Sequence, residues 1–269
     1  MSNISSGDTS PVVVSEENTC VSITLNQPSR LNALSAELVD ELHQALDQAL
    51  DQALDHALDQ PRASSARLVL FRAAGKGFSG GLDLSALDNE SDGDLLLRLV
   101  RIEQLLQRVR HANIATAALV HGACYGAAAD LVLACRTRIA TADARFLMPG
   151  MRFGIVLGTR RLRDTVGERA AYQLLDRSAP FKADEALETG FITQIAAEDE
   201  WPQVIEQTLK NISGFSASAY AHRVASLTPD TRAADMNALV SSIADGSIRA
   251  RMRDYVETVN AERQARKKS

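Results

Sequence analysis

Val12–Ser15 and Val21–Leu25 form two short apolar runs, separated by Glu16, Glu17 and Asn18. In the second run Val21, Ile23 and Leu25 alternate with Ser22 and Thr24. That period of two sets one face of a strand on a core. The acidic break between the runs predicts a hairpin. From about Ser35 the period becomes helical. Ser35 is a candidate N-cap, although Leu38 and not an acid stands at N3. The later part of this helix, Ala45–Gln60, reads ALDQ-ALDQ-ALDH-ALDQ. Four residues turn a helix by roughly 400°, so each repeat drifts ~40° round the axis. Leu46, Leu50, Leu54 and Leu58 therefore cannot share one straight groove. A repeat-expanded, protruding helix end fits this tract, and so does a surface for a partner helix. Pro61 stops it.

Arg67–Arg72 reads as a buried strand, with Leu68, Val69, Leu70 and Phe71 in a row. A helix is predicted over Asp92–Arg110, where Leu95, Leu96, Leu99, Ile102, Leu105, Leu106 and Val109 recur at three and four residues. Ile114–Val120 and Arg138–Ala140 are strands, and Asp130–Cys135 is apolar. Thr159–Ser178 is helical, as is Ala183–Thr189 before Gly190. The chain beyond Trp201 is nearly all helical and is a candidate for packing on a neighbouring subunit. Strands alternating with helices argue an α/β fold with a parallel or mixed sheet.

With 269 residues, 45% of them hydrophobic, the chain can bury a sizeable core. Its net charge of −5, with both signs interspersed, points away from a nucleic-acid partner. The tail from Arg263 to Lys268 is basic, which suits a solvated helix C-terminus. Cys20, Cys124 and Cys135 make an odd count without metal-ligand spacing, so reduced thiols and no metal are expected. The first 11 residues are polar and are expected to be disordered. They lack the basic and apolar regions of a signal peptide, and no 18-residue apolar stretch occurs, so a cytoplasmic protein is expected.

Two strand-to-helix junctions carry the candidate chemistry. The first runs from Gly75 to Leu84, with Gly77, Gly80 and Gly81. The second runs from His121 to Asp130, with Gly122 and Gly126. Glycines let backbone approach a ligand closely. Free N–H groups at a helix start favour developing negative charge, and two aimed at one point make an oxyanion hole. The Lys-Ser/Thr pair that closes a phosphate loop is missing. Gly77, Ser79 and Gly81 have the spacing of a nucleophile elbow, but no Asp…His order follows, which argues against a serine hydrolase.

The chain resembles the crotonase family of enoyl-CoA hydratases and isomerases. The resemblance runs from about Val21 to Ile195. Its motifs are Ile23–Pro28, Leu31–Leu34, Gly77–Leu84, Val120–Gly126, Arg138–Ala140, Asp143–Phe146 with Pro149, Gly158–Leu162 and Ala183–Ile192. The resemblance implies a spiral of ββα turns over residues 12–199, forming two roughly perpendicular sheets. It also implies a helical region over 200–269 that mediates trimers or hexamers. It places the two oxyanion-hole N–H groups at Leu82 and Ala127. Ser29, Arg30, Leu31, Gly80, Asp83 and Leu84 would lie beside coenzyme A, which enters as part of the substrate; no separate cofactor is implied. Hydratases of the family use two glutamates. The first falls at Asp130, one methylene shorter, and the second at Gly150, which cannot transfer a proton. Tyr125, His121 and Arg152 are the polar groups that could compensate, Arg152 by holding a substrate carboxylate.

Three functions follow as expectations. The first is an acyl-CoA lyase or isomerase of the enoyl-CoA hydratase/isomerase type, with Asp130 as the acid/base. The second is decarboxylation or carbon–carbon cleavage of an acyl-CoA, for which Gly150 is no loss. The third is an acyl-CoA-binding homologue with little catalysis, acting through assembly. Acyl-chain identity is not legible in the sequence.

Overall fold

The computed structural model describes residues 10–17, 19–54 and 66–268. The chain opens with an antiparallel hairpin of β1 (Val12–Glu17) and β2 (Cys20–Leu25), in which Val12 faces Leu25. The expected disordered segment lies outside the described residues up to residue 9; Ser10 and Pro11 already hold the hairpin, Pro11 O accepting from Asn26 N at 2.8 Å. Helix α1 (Ala36–Leu54) starts at Ser35, whose hydroxyl accepts from Leu38 N at 3.2 Å. The cap therefore forms without an acid at N3.

The tract from Ala45 behaves differently from a protruding end over its first turns. Ala45, Leu46 and Ala49 are buried in the main core, and Leu50 packs against it. The first two members of the repeat thus reach that core despite the ~40° drift between them. Residues 55–65 of the tract and its sequel lie outside the described residues.

Strand β3 (Leu68–Ala73) pairs in parallel with β2. Helix α2 (Asp92–Arg110) has the expected bounds, with a capping box between Ser91 and Asp94. Strand β4 (Ala115–Val120) is buried along its whole length, as expected for a sheet interior covered on both faces. There follow β5 (Ala123–Tyr125), α3 (Ala127–Ala134), β6 (Thr137–Ala140) and β7 (Arg145–Leu147). The helix expected over Thr159–Ser178 is two helices, α4 (Thr159–Val166) and α5 (Glu168–Arg177), broken at Gly167. Then come β8 (Phe181–Lys182), α6 (Ala183–Glu188) and β9 (Gln194–Ile195). The chain closes with α7 (Trp201–Ile212), α8 (Ala217–Leu227), α9 (Arg232–Ile243) and α10 (Ile248–Lys268).

Among the described residues the strands make two sheets. The larger has the order β1-β2-β3-β4-β6-β9 and the smaller β5-β7-β8. The smaller sheet is not marked by periodicity, because its strands have only two or three residues each. Phe146, Phe181 and Phe191 pack together on it, with ring centroids 5.0–5.6 Å apart. The helical last quarter folds back on its own chain: Leu239, Ile243, Ile248 and Met252 share a core with Leu87, Leu95, Leu99 and Ile155. No described helix is long and apolar enough to cross a membrane.

Candidate functional site

The first glycine-bearing loop is fixed by a residue that periodicity does not single out. Asn32 is buried at φ 49°, in the left-handed region that Asn tolerates better than most residues. Its Nδ2 donates to Ala74 O at 2.9 Å and to Gly77 O and Phe78 O, each at 3.2 Å. Its Oδ1 accepts from Gln27 N at 2.8 Å. Ser79 Oγ donates to Asn32 O at 2.7 Å and accepts from Gly81 N at 3.1 Å. One buried amide thus ties the Pro28–Arg30 turn to the whole loop. Asn32→Ala should cost ~3 kcal/mol in urea denaturation, because several buried backbone groups lose their partner. A loss under ~1 kcal/mol would show that the loop holds without the amide.

The second loop runs alongside the first. Phe78 N donates to His121 O at 2.9 Å, Ser79 N to Ala123 O at 2.9 Å, and Tyr125 N to Ser79 O at 3.0 Å. His121 Nε2 donates to Gly75 O at 2.9 Å, so this histidine fastens one loop to the other. Gly81 has φ 87°, and a Cβ there would lie 2.5 Å from Tyr125 O. Only glycine allows this approach of the two backbones.

Two N–H groups of these junctions are left without a partner among the described residues. Leu34 N donates to Gly81 O at 2.7 Å and Asp83 N to Leu34 O at 3.3 Å. Leu34 thus bonds the residues on either side of Leu82, which leaves the N–H of Leu82 on the far side of that ladder. Ala127 is the first residue of α3, where an N–H has no partner within the helix. Its φ is negative, as a helical donor requires. Neither N–H has a hydrogen-bond partner among the described residues. One turn along α3 from Ala127 lies Asp130, 3% exposed.

A sequence model of the enoyl-CoA hydratase/isomerase family matches residues 15–265. The chain belongs to the enoyl-CoA hydratase/isomerase family. It is 30% identical over 249 residues to a Bacillus subtilis (strain 168) relative named as an enoyl-CoA hydratase, covering 89% of this chain and 87% of the relative. It is 28% identical over 198 residues to the short-chain-enoyl-CoA hydratase of Clostridium acetobutylicum, covering 70% of each. A crystal structure of an enoyl-CoA hydratase/isomerase homologue from Bordetella parapertussis superposes with a TM-score of 0.86 at 39% identity, over 92% of this chain and 99% of that one. The fold is the crotonase fold of this family.

In this member of the family Asp130 is enclosed. Its Oδ1 has no hydrogen-bond partner among the described residues. It rests against Gly158, the N-cap of α4, where a Cβ would stand 1.8 Å from Oδ1. Burial pushes the carboxyl from 3.8 up to about 8; the charge of Arg161 pulls it down and that of Glu103 pushes it further up. The folded chain therefore keeps a proton that the unfolded chain releases from about pH 4 upward. This group's contribution to stability is full below about pH 4 and is lost as pH rises through about 8. Stability of the wild type relative to Asp130→Asn should fall over that window, by at most ~1.4 kcal/mol per pH unit in denaturation at stepped pH. A flat difference would mean that Asp130 ionises normally.

The second-glutamate position is closed as well as vacant of an acid. Gly150 O accepts from Ile155 N at 2.9 Å, and a Cβ at Gly150 would lie 3.0 Å from Ile155 O. Arg152, two residues on, pairs with Glu262 at 3.0 Å and lies 5.7 Å from the ring centroid of Tyr255. Helix α10 therefore engages its guanidinium. Tyr125 is half-buried and joins the loops through its backbone.

The expected coenzyme A residues fall on one rim beside the first loop. Ser29, Arg30, Leu31 and Gly80 are exposed, and Gly80 N donates to Leu31 O at 2.8 Å. Arg30 pairs with Asp83 at 2.7 Å and donates to Ser85 Oγ at 2.6 Å. Leu84 is half-buried beside them. Surface depressions of 770 and 570 Å³, lined by His43, Arg101 and Arg232 and by Arg136, Gln207 and Arg223 respectively, lie away from this site.

Proposed function

We infer that this chain is an enzyme acting on an acyl-coenzyme A thioester, which it carries through an enolate by proton transfer at carbon. The observation that carries this reading is the pair of unpartnered N–H groups, on Leu82 and Ala127, on two interlocked loops one helical turn from a buried carboxyl. Fixed N–H dipoles in a site shielded from water stabilise negative charge on the thioester oxygen without reorganising. The α-carbon can then lose a proton to, or gain one from, Asp130. A single carboxyl suffices for isomerisation, because its ionised form, the minor one below about pH 8, takes a proton from one carbon and returns it to another. Addition of water by two carboxylates lacks its second group at Gly150. Coenzyme A would lie along the Ser29–Leu31, Gly80 and Asp83–Leu84 rim, and the substrate supplies its own electron sink without a separate cofactor. Assembly as a trimer or hexamer belongs to the same reading and is checked by light scattering.

A second reading is favoured by the closed backbone at Gly150 and by the neutral form of Asp130. In decarboxylation the bond from the α-carbon to a carboxylate breaks and its electrons move into the thioester enolate. CO₂ leaves, and Asp130 protonates the α-carbon, regaining its proton from solvent. Parallel assays with 2-enoyl and 3-enoyl thioesters, for isomerisation and hydration, and with a malonyl-type thioester decide between them. Double-bond migration supports the first reading and CO₂ release the second. Tight thioester binding without turnover of any of these would overturn both.

A further inference from the structure

Beneath Asp130 lies a buried ion pair with no counterpart in the motifs of the two loops. Glu103 on α2 is 1% exposed and the Arg161 side chain on α4 is 4% exposed. Arg161 donates through Nη1 to Oε1 at 3.0 Å and through Nη2 to Oε2 at 2.5 Å, so the fork is spent on one carboxylate. Gln107 Nε2 donates to the same Oε1 at 2.8 Å and holds Glu103 in place. Asp235 on α9 stands 3.6 Å from Arg161 Nη1, but it is itself bonded by Arg160 Nε at 2.8 Å and Thr231 Oγ1 at 2.7 Å. Burial lowers the affinity of Arg161 for its proton; the bond to Glu103 and the charges of Glu103, Asp130 and Asp235 more than restore it. Asp130 receives no hydrogen bond from this guanidinium on its Oδ1.

We propose that Glu103 is a positioning residue: by engaging both arms of Arg161 it withholds that cation from Asp130 and keeps the Asp130 carboxyl in its neutral, proton-donating form. The charged and titratable groups round this centre are Glu103 and Arg110 from α2, Arg161 from α4, Asp235 from α9 and Cys124 from β5. The Cys124 thiol is held neutral, its titration raised well above the ordinary range by burial. Both charges act on Asp130: Arg161 favours its ionised form, and Glu103 opposes part of that pull. Removing the carboxylate alone unbalances them, and an uncompensated buried cation favours an ionised neighbour. The use made of the proton rests on the enolate chemistry proposed above; the control of its retention does not.

The test is therefore read on the carboxyl itself. The infrared C=O band of protonated Asp130, taken as the difference between wild type and Asp130→Asn, is followed from about pH 4 to 10. In Glu103→Gln the midpoint of that band should fall by about one pH unit or more, and Glu103→Asp should return it towards the wild-type value. A folded Glu103→Gln with an unmoved midpoint overturns the proposal. If Glu103→Gln does not fold, the double variant Glu103→Gln/Arg161→Met, which removes both charges, is read instead. Its midpoint should equal or exceed that of the wild type, and a lower one overturns the proposal. Because the readout is not turnover, it stands even if Asp130→Asn proves fully active, an outcome that would remove Asp130 from the proposed chemistry alone.

Discussion

Replacing Asp130 by Asn is expected to lower kcat by ~10²–10⁴-fold, the usual contribution of one positioned acid/base group, while the affinity for the thioester stays within about twofold. The substitution preserves shape in a site enclosed by Gly158 and the alanines of α3, so the fold should survive. The separation of kcat from binding matters. The proposed coenzyme A rim and the N–H pair are left in place, and only the transferable proton is removed. The enzyme form that donates a proton should disappear as pH rises through about 8, so a donation-limited rate in the wild type should fall on that limb. Steady-state kinetics together with binding of a non-reactive thioester check both parts. Unchanged turnover in a folded Asp130→Asn would remove Asp130 from the chemistry.

Ala127→Pro should lower kcat by ~10²–10³-fold, the effect of deleting one oxyanion-hole donor. Backbone donors normally resist mutation, but this one sits at the first position of α3. There proline is tolerated, because the N–H it lacks has no helical partner in any case. The preceding Gly126 has no Cβ to meet the ring, which permits the substitution locally. The melting temperature should therefore change little while turnover collapses. Ala127→Gly is the control: it keeps the N–H and should keep most of the activity. If Ala127→Pro folds and retains activity within about tenfold, the N–H of Ala127 does not bear the charge of the transition state.

Much of the fold was legible because its strongest elements bury one regular face. The Asp92–Arg110 stripe, the alternation in Val21–Leu25 and the apolar run at Leu68–Phe71 each fix an element through hydrophobic period alone. The break at Gly167 and the strands of the smaller sheet were not legible. A helix pattern continues across a single glycine, and segments of two or three residues carry no period. The first turns of the ALDQ tract were expected to protrude, yet they pack in the core. Their sequence repeat is uniform, and only the position of the rest of the molecule distinguishes one repeat from the next.

The candidate site divides in the same way. Its backbone half was written in the sequence: glycines after two strands, a residue that begins a helix, and the motif order of the enoyl-CoA hydratase/isomerase family. Local chemistry determines such features, since close backbone approach needs glycine wherever it occurs. The polar half was decided by tertiary structure. Asn32 was visible within its motif, but not as the clamp on three carbonyls. Glu103 interrupts the apolar stripe of α2 between Ile102 and Leu106, which was the one signal of a buried charge, and its partner lies 58 residues away. The proton affinity of a carboxyl depends on the water removed from it and on the charges brought beside it. Both come from segments distant in the chain, so the sequence could name Asp130, while only the fold could bury it, bare its Oδ1 and divert Arg161 to Glu103.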